Sequence, residues 1–365
     1  MRELKLGFDA KRLFCNKEGL GSYARTLLRD LQTAYPQHEY HLYTPRIDNS
    51  IDHSYFTESD RFIVHYNANT PKLWRYSKIS KDLKRHKIDV YIGLSNELPR
   101  GLSSNGIKSI VVIHDLLYKY YPNQFSFVDR HIIKHKLNHA ISKADQVLAV
   151  SQHTKSDIVR NYNIANEKIK VIYQSVNKLY RDANTQGNGE YLLCVGTINE
   201  RKNLKLLVDS YQHMDPNDRV PVLVAGNGGR YKVELIEAIK SYKLEHLFTF
   251  IGYVSDEKLI ELYKKAIALI FPSRYEGFGI PVIESLSMNI PVIACNSSSI
   301  MEVVGQYGIV IDSYDSVVLS EAIIQITDPN NRQSLLNGVE NHLRNFQSDV
   351  ICKEYMQSIE HTVRT

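Results

Sequence analysis

Twelve short runs rich in valine, isoleucine and leucine recur along this chain, and longer stretches with helical apolar spacing lie between them. Short apolar runs without polar alternation suit strands buried on both faces, as in a parallel sheet covered by helices. The first series is Leu4–Phe8, His41–Thr44, Val90–Leu94, Ser109–Ile113, Gln146–Val150 and Lys170–Tyr173. The second is Tyr191–Val195, Val222–Ala225, Phe248–Ile251, Ala268–Phe271, Val292–Ala294 and Gly308–Ile311. Helical patterns fall at Ser22–Thr33, Leu204–His213, Asp256–Lys265 and Pro281–Ser287. Alternating β and α elements predict doubly wound α/β domains.

The two series are separated by Asn177–Glu190, which is polar and rich in glycine and asparagine. A chain of 365 residues also suggests two domains. We therefore expect an N-terminal domain over 1–176, a linker over 177–190 and a C-terminal domain over 191–348. A last helix is expected over 349–365. Charge divides the same way: residues 1–180 hold 28 Lys and Arg against 17 Asp and Glu, while 181–365 hold 17 against 23. The basic half suits either a phosphate-rich surface or plain solvation.

Ligands of open α/β sheets bind beyond the carboxyl ends of the strands, so chemistry is sought in the loops that follow them. The strongest signal is PSRYEGFGIPVIES at Pro272–Ser285. Gly277, Phe278 and Gly279 give a flexible turn, Ile280 follows, and Pro281 suits the first turn of a helix. Such a helix start favours an anion through its amides and dipole. Glu276 is expected in the loop and Glu284 in the first helical turn. Carboxylates accept hydrogen bonds from hydroxyls, so the pair suits a phosphate flanked by two polyols.

A second signal is YLLCVGTINERKNL, where a strand ends at Gly196 and a short loop carries Arg201 and Lys202. Two cations there suit a diphosphate clamp. VPVLVAGNGG ends a strand in small residues around Gly226, read as a turn or a close ligand approach. Gly19-Leu20-Gly21-Ser22-Tyr23-Ala24 matches G-x-G-x-x-A. It starts about ten residues after the first strand, and no acid ends the second strand, so a dinucleotide site is rejected. SIVVIHDL places His114 at a strand end, where it either meets a sugar hydroxyl or is satisfied by backbone. Lys72–Lys87, KLWRYSKISKDLKRHK, reads as a basic helix whose apolar stripe faces either an anionic membrane or the core.

Other chemistries are excluded. The chain has no C-x-x-C, H-E-x-x-H, P-loop, D-x-D or G-x-S-x-G pattern. No metal site is expected, and no nucleic-acid motif occurs. The four cysteines are scattered, and no run of 18 apolar residues or signal peptide is read. A cytoplasmic location is the expectation.

These residues resemble retaining glycosyltransferases of family 4, with the GT-B fold. PSRYEGFGIPVIES looks like that family's E-x7-E region, and IHDLLYKYYP, ADQVLAVSQHTKSDI, CVGTINERKNL, VAGNGG and FIGYVSDEKL follow in its order. The HDLLY wording is similar to bacterial enzymes of O-antigen, capsule or exopolysaccharide synthesis, often mannosyltransferases. The resemblance implies two Rossmann-like domains facing across a cleft, the last helix crossing back to the N-terminal domain. It implies that Glu276 contacts the transferred sugar and Glu284 the donor ribose. Gly277 to Ile280 and Gly21 would border the diphosphate, with Gly196 and Gly226 lining the donor site. Lys202, with Arg201, would neutralise the leaving diphosphate. His114 would reach the sugar, and the backbone at Tyr253 and Val254 the base. Thr197 departs from the arginine common at that position, and Arg201 is the candidate substitute. The implied reaction uses a GDP- or UDP-linked sugar, retains configuration and needs neither metal nor cofactor. The implied acceptor is a glycan or polyprenyl-linked glycan at a membrane surface. Alternatives are a GT-B epimerase or phosphorylase, or a degenerate nucleotide-sugar-binding protein.

Overall fold

The computed structural model describes residues 2–66, 74–183 and 189–365. The chain forms two compact units: Met1–Ser175 with Gln347–Thr365, and Val176–Phe346. Each is a doubly wound parallel sheet.

The first unit contains β1 (Lys5–Asp9), β2 (Glu39–Thr44), β3 (Ile63–Tyr66), β4 (Val90–Gly93), β5 (Lys108–Ile113), β6 (Gln146–Ala149) and β7 (Ile169–Val171). Their order is β3-β2-β1-β4-β5-β6-β7, and every neighbouring pair is parallel. Strand order reverses between β1 and β4, which opens the crevice where such sheets take ligands. The middle strands are buried on both faces: Ile110, Val111, Val112 and Ile113 of β5 are fully covered. The sequence pattern did not reveal β3. It is an edge strand whose Ile63 and Tyr66 are exposed, so it lacks the continuous apolar run of a central strand.

The last helix, Ser348–Arg364, packs in this unit. Ile351, Tyr355, Met356 and Ile359 are buried, and the Tyr355 and Tyr23 hydroxyls share a hydrogen bond. Thr362 Oγ1 donates to Gln146 Oε1 at 3.1 Å.

Lys72 and Leu73 of the basic run lie outside the described residues. From Trp74 the run forms a π-helical turn to Lys78 and an α-helix at Ile79–Arg85. Ile79 and Leu83 are fully buried in the core, and Trp74 packs against it. Of the two faces the stripe could meet, Ile79 and Leu83 meet the core. Among the described residues, no helix is long and apolar enough to cross a membrane.

The second unit contains β8 (Tyr191–Val195), β9 (Val222–Ala225), β10 (Phe248–Gly252), β11 (Ala266–Phe271), β12 (Val292–Cys295) and β13 (Gly308–Ile311). Their order is β10-β9-β8-β11-β12-β13, again all parallel. The reversal falls between β8 and β11. Part of the stretch expected as linker is structured in this unit: Lys178–Asp182 is a short helix, and Tyr180 is buried with its ring edge-on to Tyr263. One aromatic anchor outweighs the polar composition around it.

Candidate active site

The loops that leave β8 and β11 meet at the reversal point of the second sheet. After β8, a single turn at Glu200–Lys202 is capped by Asn199, whose side chain accepts from Lys202 N at 3.1 Å. Asn203 then takes a left-handed conformation (φ 55°) and starts the helix Leu204–Ser210. This turn places Arg201 and Lys202 side by side. The loop after β11 is stitched to it, because Arg274 N donates to Arg201 O at 2.8 Å.

Three serines after β12 hold the glycine loop. Ser297 Oγ donates to Ser273 O at 2.6 Å, and Glu276 N donates to Ser298 Oγ at 2.7 Å. Ser299 Oγ donates to both Glu276 O (3.0 Å) and Phe278 O (2.8 Å). Motif reading missed these residues. Their only signal was a serine cluster, NSSSI, directly after a buried strand.

Glu276 receives both cations. Its Oε1 lies 2.7 Å from Arg201 Nη1 and 2.7 Å from Lys202 Nζ, and all three side chains are less than one-fifth exposed. Burial pushes the Glu276 carboxyl up, but Lys202 and Arg201 outweigh it and hold its pKa below the ordinary value. Arg201 Nη1 also donates to Tyr275 O at 2.7 Å, and Lys202 Nζ sits 4.4 Å over the Phe271 ring. Two cations facing one carboxylate leave a net positive site. Arg201 Nε, Asn203 Nδ2 and Ser273 Oγ are buried with no hydrogen-bond partner among the described residues. Unsatisfied buried polar atoms are uncommon, and around a cationic cleft they fit a polar, anionic ligand.

Gly279 caps the helix Ile280–Ser287 at φ 117°, and Pro281 occupies its first turn. Glu284 is the fifth residue of this helix, one position past the first turn where it was expected, because the helix starts at Ile280. Its carboxyl is buried, accepts from Tyr263 Oη at 3.3 Å, and lies near enough to Asp256 to feel its charge. Burial first, then Asp256, pushes its pKa up to about 8. Environment thus separates the two acids: Glu276 is ionised, and Glu284 holds its proton at neutral pH.

At Gly226 the sheet itself demands glycine. The residue has φ 153°, and a Cβ there would lie 1.9 Å from Gly196 O. Gly196 N donates to Ala225 O and Gly226 N to Gly252 O, so these glycines tie the ends of β8, β9 and β10 together. Tyr253 and Val254 follow β10 at the same sheet end, Tyr253 being half exposed.

In the first unit, His114 follows β5 and is buried. Its Nε2 lies 2.8 Å from Leu94 O and its Nδ1 3.2 Å from Gln174 Nε2, with Tyr23 edge-on to the ring. A carbonyl only accepts, so the proton sits on Nε2. Burial lowers the pKa to about 4 and the ring is neutral. Of the two sequence readings, the one in which protein groups satisfy His114 describes these contacts. Gly21 lies in the first turns of the helix Gly19–Ala34, and a Cβ there would meet Asn16 O at 1.8 Å. The fold therefore requires this glycine whatever lies beside it.

A second network escaped motif reading. Asp9, at the end of β1, pairs with Arg75 at 3.0 Å, and Arg75 also pairs with Glu97. Lys136 reaches Glu97 at 3.2 Å. Asp9 is buried, so these charges meet at the reversal point of the first sheet. The signal was Asp9 itself, a charge closing an apolar strand.

A profile described as "Glycosyltransferase Family 4" matches residues 18–178, and one described as "Glycosyl transferases group 1" matches 176–340. The chain belongs to the family-4 glycosyltransferases. This glycosyltransferase is 26% identical over 355 residues to O-antigen chain mannosyltransferase B of Escherichia coli, across 88% of the chain and 90% of the relative. It is 31% identical over 217 residues to O-antigen chain mannosyltransferase RfbU of Salmonella typhimurium, across 59% and 60%. Among solved structures, Anabaena HepE in complex with UDP and glucose aligns with TM-score 0.75 and 17% identity, covering 98% of this chain and all of that one. That likeness identifies the fold as GT-B.

Proposed function

We propose that this glycosyltransferase moves a hexose, mannose by analogy with its relatives, from a nucleoside-diphosphate sugar to a glycan or lipid-linked glycan of a surface polysaccharide. The observation that carries this reading is the convergence of Arg201 and Lys202 on Glu276 at the sheet reversal point. Glu276 pairs with both cations and balances only one of their two charges. A diphosphate offers them more charge, and Glu276 turns to the sugar hydroxyls. Gly196, Gly226 and the amides from Gly277 to Ile280 line the phosphates. Glu284 meets the ribose, and the backbone at Tyr253 and Val254 meets the base. Arg201 takes the place of the arginine that Thr197 replaces.

The reaction we propose proceeds with retention. The bond from the anomeric carbon to the β-phosphate oxygen breaks, and the acceptor oxygen bonds to the same face. The acceptor proton passes to the departing diphosphate. Fixed cations and amides supply the leaving-group stabilisation, so no metal or cofactor is assigned to this step. Transfer assayed in chelator, with the product linkage read by proton NMR, should show the donor's anomeric configuration. Inversion, or activity restored only by added metal, would overturn the mechanism. Sugar release without acceptor would favour an epimerase, and a bound pyridoxal absorption band a phosphorylase. Tight donor binding without any turnover would favour the degenerate binder.

We place the acceptor at the inner membrane face, reached from the cytoplasm. Support comes from the helix Phe127–Lys143, not from the buried stripe at Ile79–Arg85. Phe127, Val128 and Ile132 are exposed there at 67%, 64% and 47%, among Arg130, Lys134 and Lys136 with Asp129 the only acid. Apolar anchors within a basic field suit anionic lipid. Co-sedimentation with phosphatidylglycerol vesicles at low salt should be lost in Phe127→Ser/Ile132→Ser. Equal sedimentation of both proteins would reject this face.

A further inference from the structure

One polar cluster has no part in the sugar chemistry. By strand alternation Glu39, His41 and Tyr43 share one face of β2. The register pairs Tyr43 with His65 of β3, which brings His65 to the same face. His86, just after the helix Ile79–Arg85, completes the group. Imidazoles gathered on a sheet face, where apolar side chains normally pack, call for an explanation.

The hydrogen bonds set the tautomers. His41 Nε2 lies 3.1 Å from Glu39 Oε2, and an ionised carboxylate only accepts. The His41 proton is therefore on Nε2, and Nδ1 presents a lone pair. That Nδ1 lies 2.9 Å from His65 Nε2, which donates to it. His86 Nε2 lies 3.4 Å from Arg85 Nη2, which only donates, so His86 Nε2 is also bare. Its Nδ1 hydrogen goes to the Tyr43 hydroxyl at 2.8 Å. One ring nitrogen from each histidine lies within 4.8 Å of the other two.

We propose that His41, His65 and His86 form a binding site for a divalent transition-metal ion of the zinc class. Zinc binds imidazole nitrogen at about 2.0–2.1 Å, which sets tetrahedral ligand nitrogens about 3.3 Å apart. The present spread closes to that value by side-chain rotation. His65 and His86 now stack at 4.1 Å between ring centroids, so His86 turns edge-on to join the ion. His65 shifts its proton from Nε2 to Nδ1, and no net proton is released. Arg85 is largely exposed and pairs with Asp82, so it can leave His86. Glu39 and Tyr43 hold the far nitrogens of His41 and His86, the outer-sphere arrangement that orients metal-bound histidines. Water completes the coordination.

The test uses the full chain, stripped with chelator and titrated with Zn²⁺ by calorimetry. Co²⁺ serves as a second probe, read by its visible absorption. The wild type should bind one equivalent that His65→Ala and His86→Asn each weaken at least tenfold, with circular dichroism unchanged. The Co²⁺ bands should disappear in both variants. The proposal is overturned if the wild type binds no equivalent, or if both folded variants bind as the wild type does. Donor binding is read separately in the second unit, so this outcome is independent of the sugar chemistry.

Discussion

Lys202→Ala is expected to lower turnover at saturating donor by about 10²-fold, the usual loss when one fixed donor to a developing anion is removed. The ammonium is held by the Asn199-capped turn and faces Glu276 at 2.7 Å, in a pocket only 13% exposed at its side chain. It is already in place before negative charge develops on the leaving diphosphate. The fold should survive, because Glu276 keeps its 2.7 Å contact with Arg201. Arg201→Ala is a less direct test of the clamp, since that guanidinium also holds Tyr275 O. Steady-state kinetics decides the matter. A fall in turnover beyond tenfold, with circular dichroism unchanged, places Lys202 on the leaving group. A smaller fall removes it from the clamp.

Glu284→Gln should change how stability depends on pH. The folded carboxyl has a pKa raised from 4.5 to about 8, so between those values the native state holds a proton that the unfolded chain has released. Native protein then binds more protons than unfolded protein, and stability falls as pH rises through this window. The slope from this group is about 1.4 kcal/mol per pH unit. Glutamine cannot ionise and should remove that slope. Urea unfolding of both proteins at pH 5, 6.5 and 8 reads the difference, which cancels the other carboxyls. Parallel curves would show that Glu284 is ionised throughout. The same variant should bind donor about as the wild type does near neutral pH, because the amide keeps the one carbonyl acceptor and the donor that the protonated carboxyl offers the ribose.

How far the sequence could be read follows from how each element is buried. Central strands such as β5 and β11 are covered on both faces, so their apolar runs were plain. The edge strand β3 has only Ile63 and Val64 before His65 and Tyr66, too short an apolar run for that rule. The loop acids and cations were legible because they sit at fixed offsets from strand ends: Glu276 after β11, Arg201 and Lys202 after β8. Ser297 to Ser299 were not legible, since their contacts cross from β12 to the neighbouring loop. Arg75 was read only as one cation of the basic helix at Lys72–Lys87, yet its partner Asp9 stands 66 positions earlier. The opposed ionisation of Glu276 and Glu284 was also hidden. Both are glutamates in one motif, and only burial beside cations or beside Asp256 separates them.

The central claim is that the second unit binds a nucleoside-diphosphate sugar through its own cations. It is tested most directly by a thermal-shift screen of UDP, GDP, ADP, CMP and dTDP, with their common sugars, in the presence of chelator. A ligand at 100 times its dissociation constant stabilises the fold by about 2.7 kcal/mol. The account expects one diphosphate series to raise the melting temperature in chelator, and Lys202→Ala to lose most of that shift. If no nucleotide shifts the wild type, or only with added metal, the claim is contradicted.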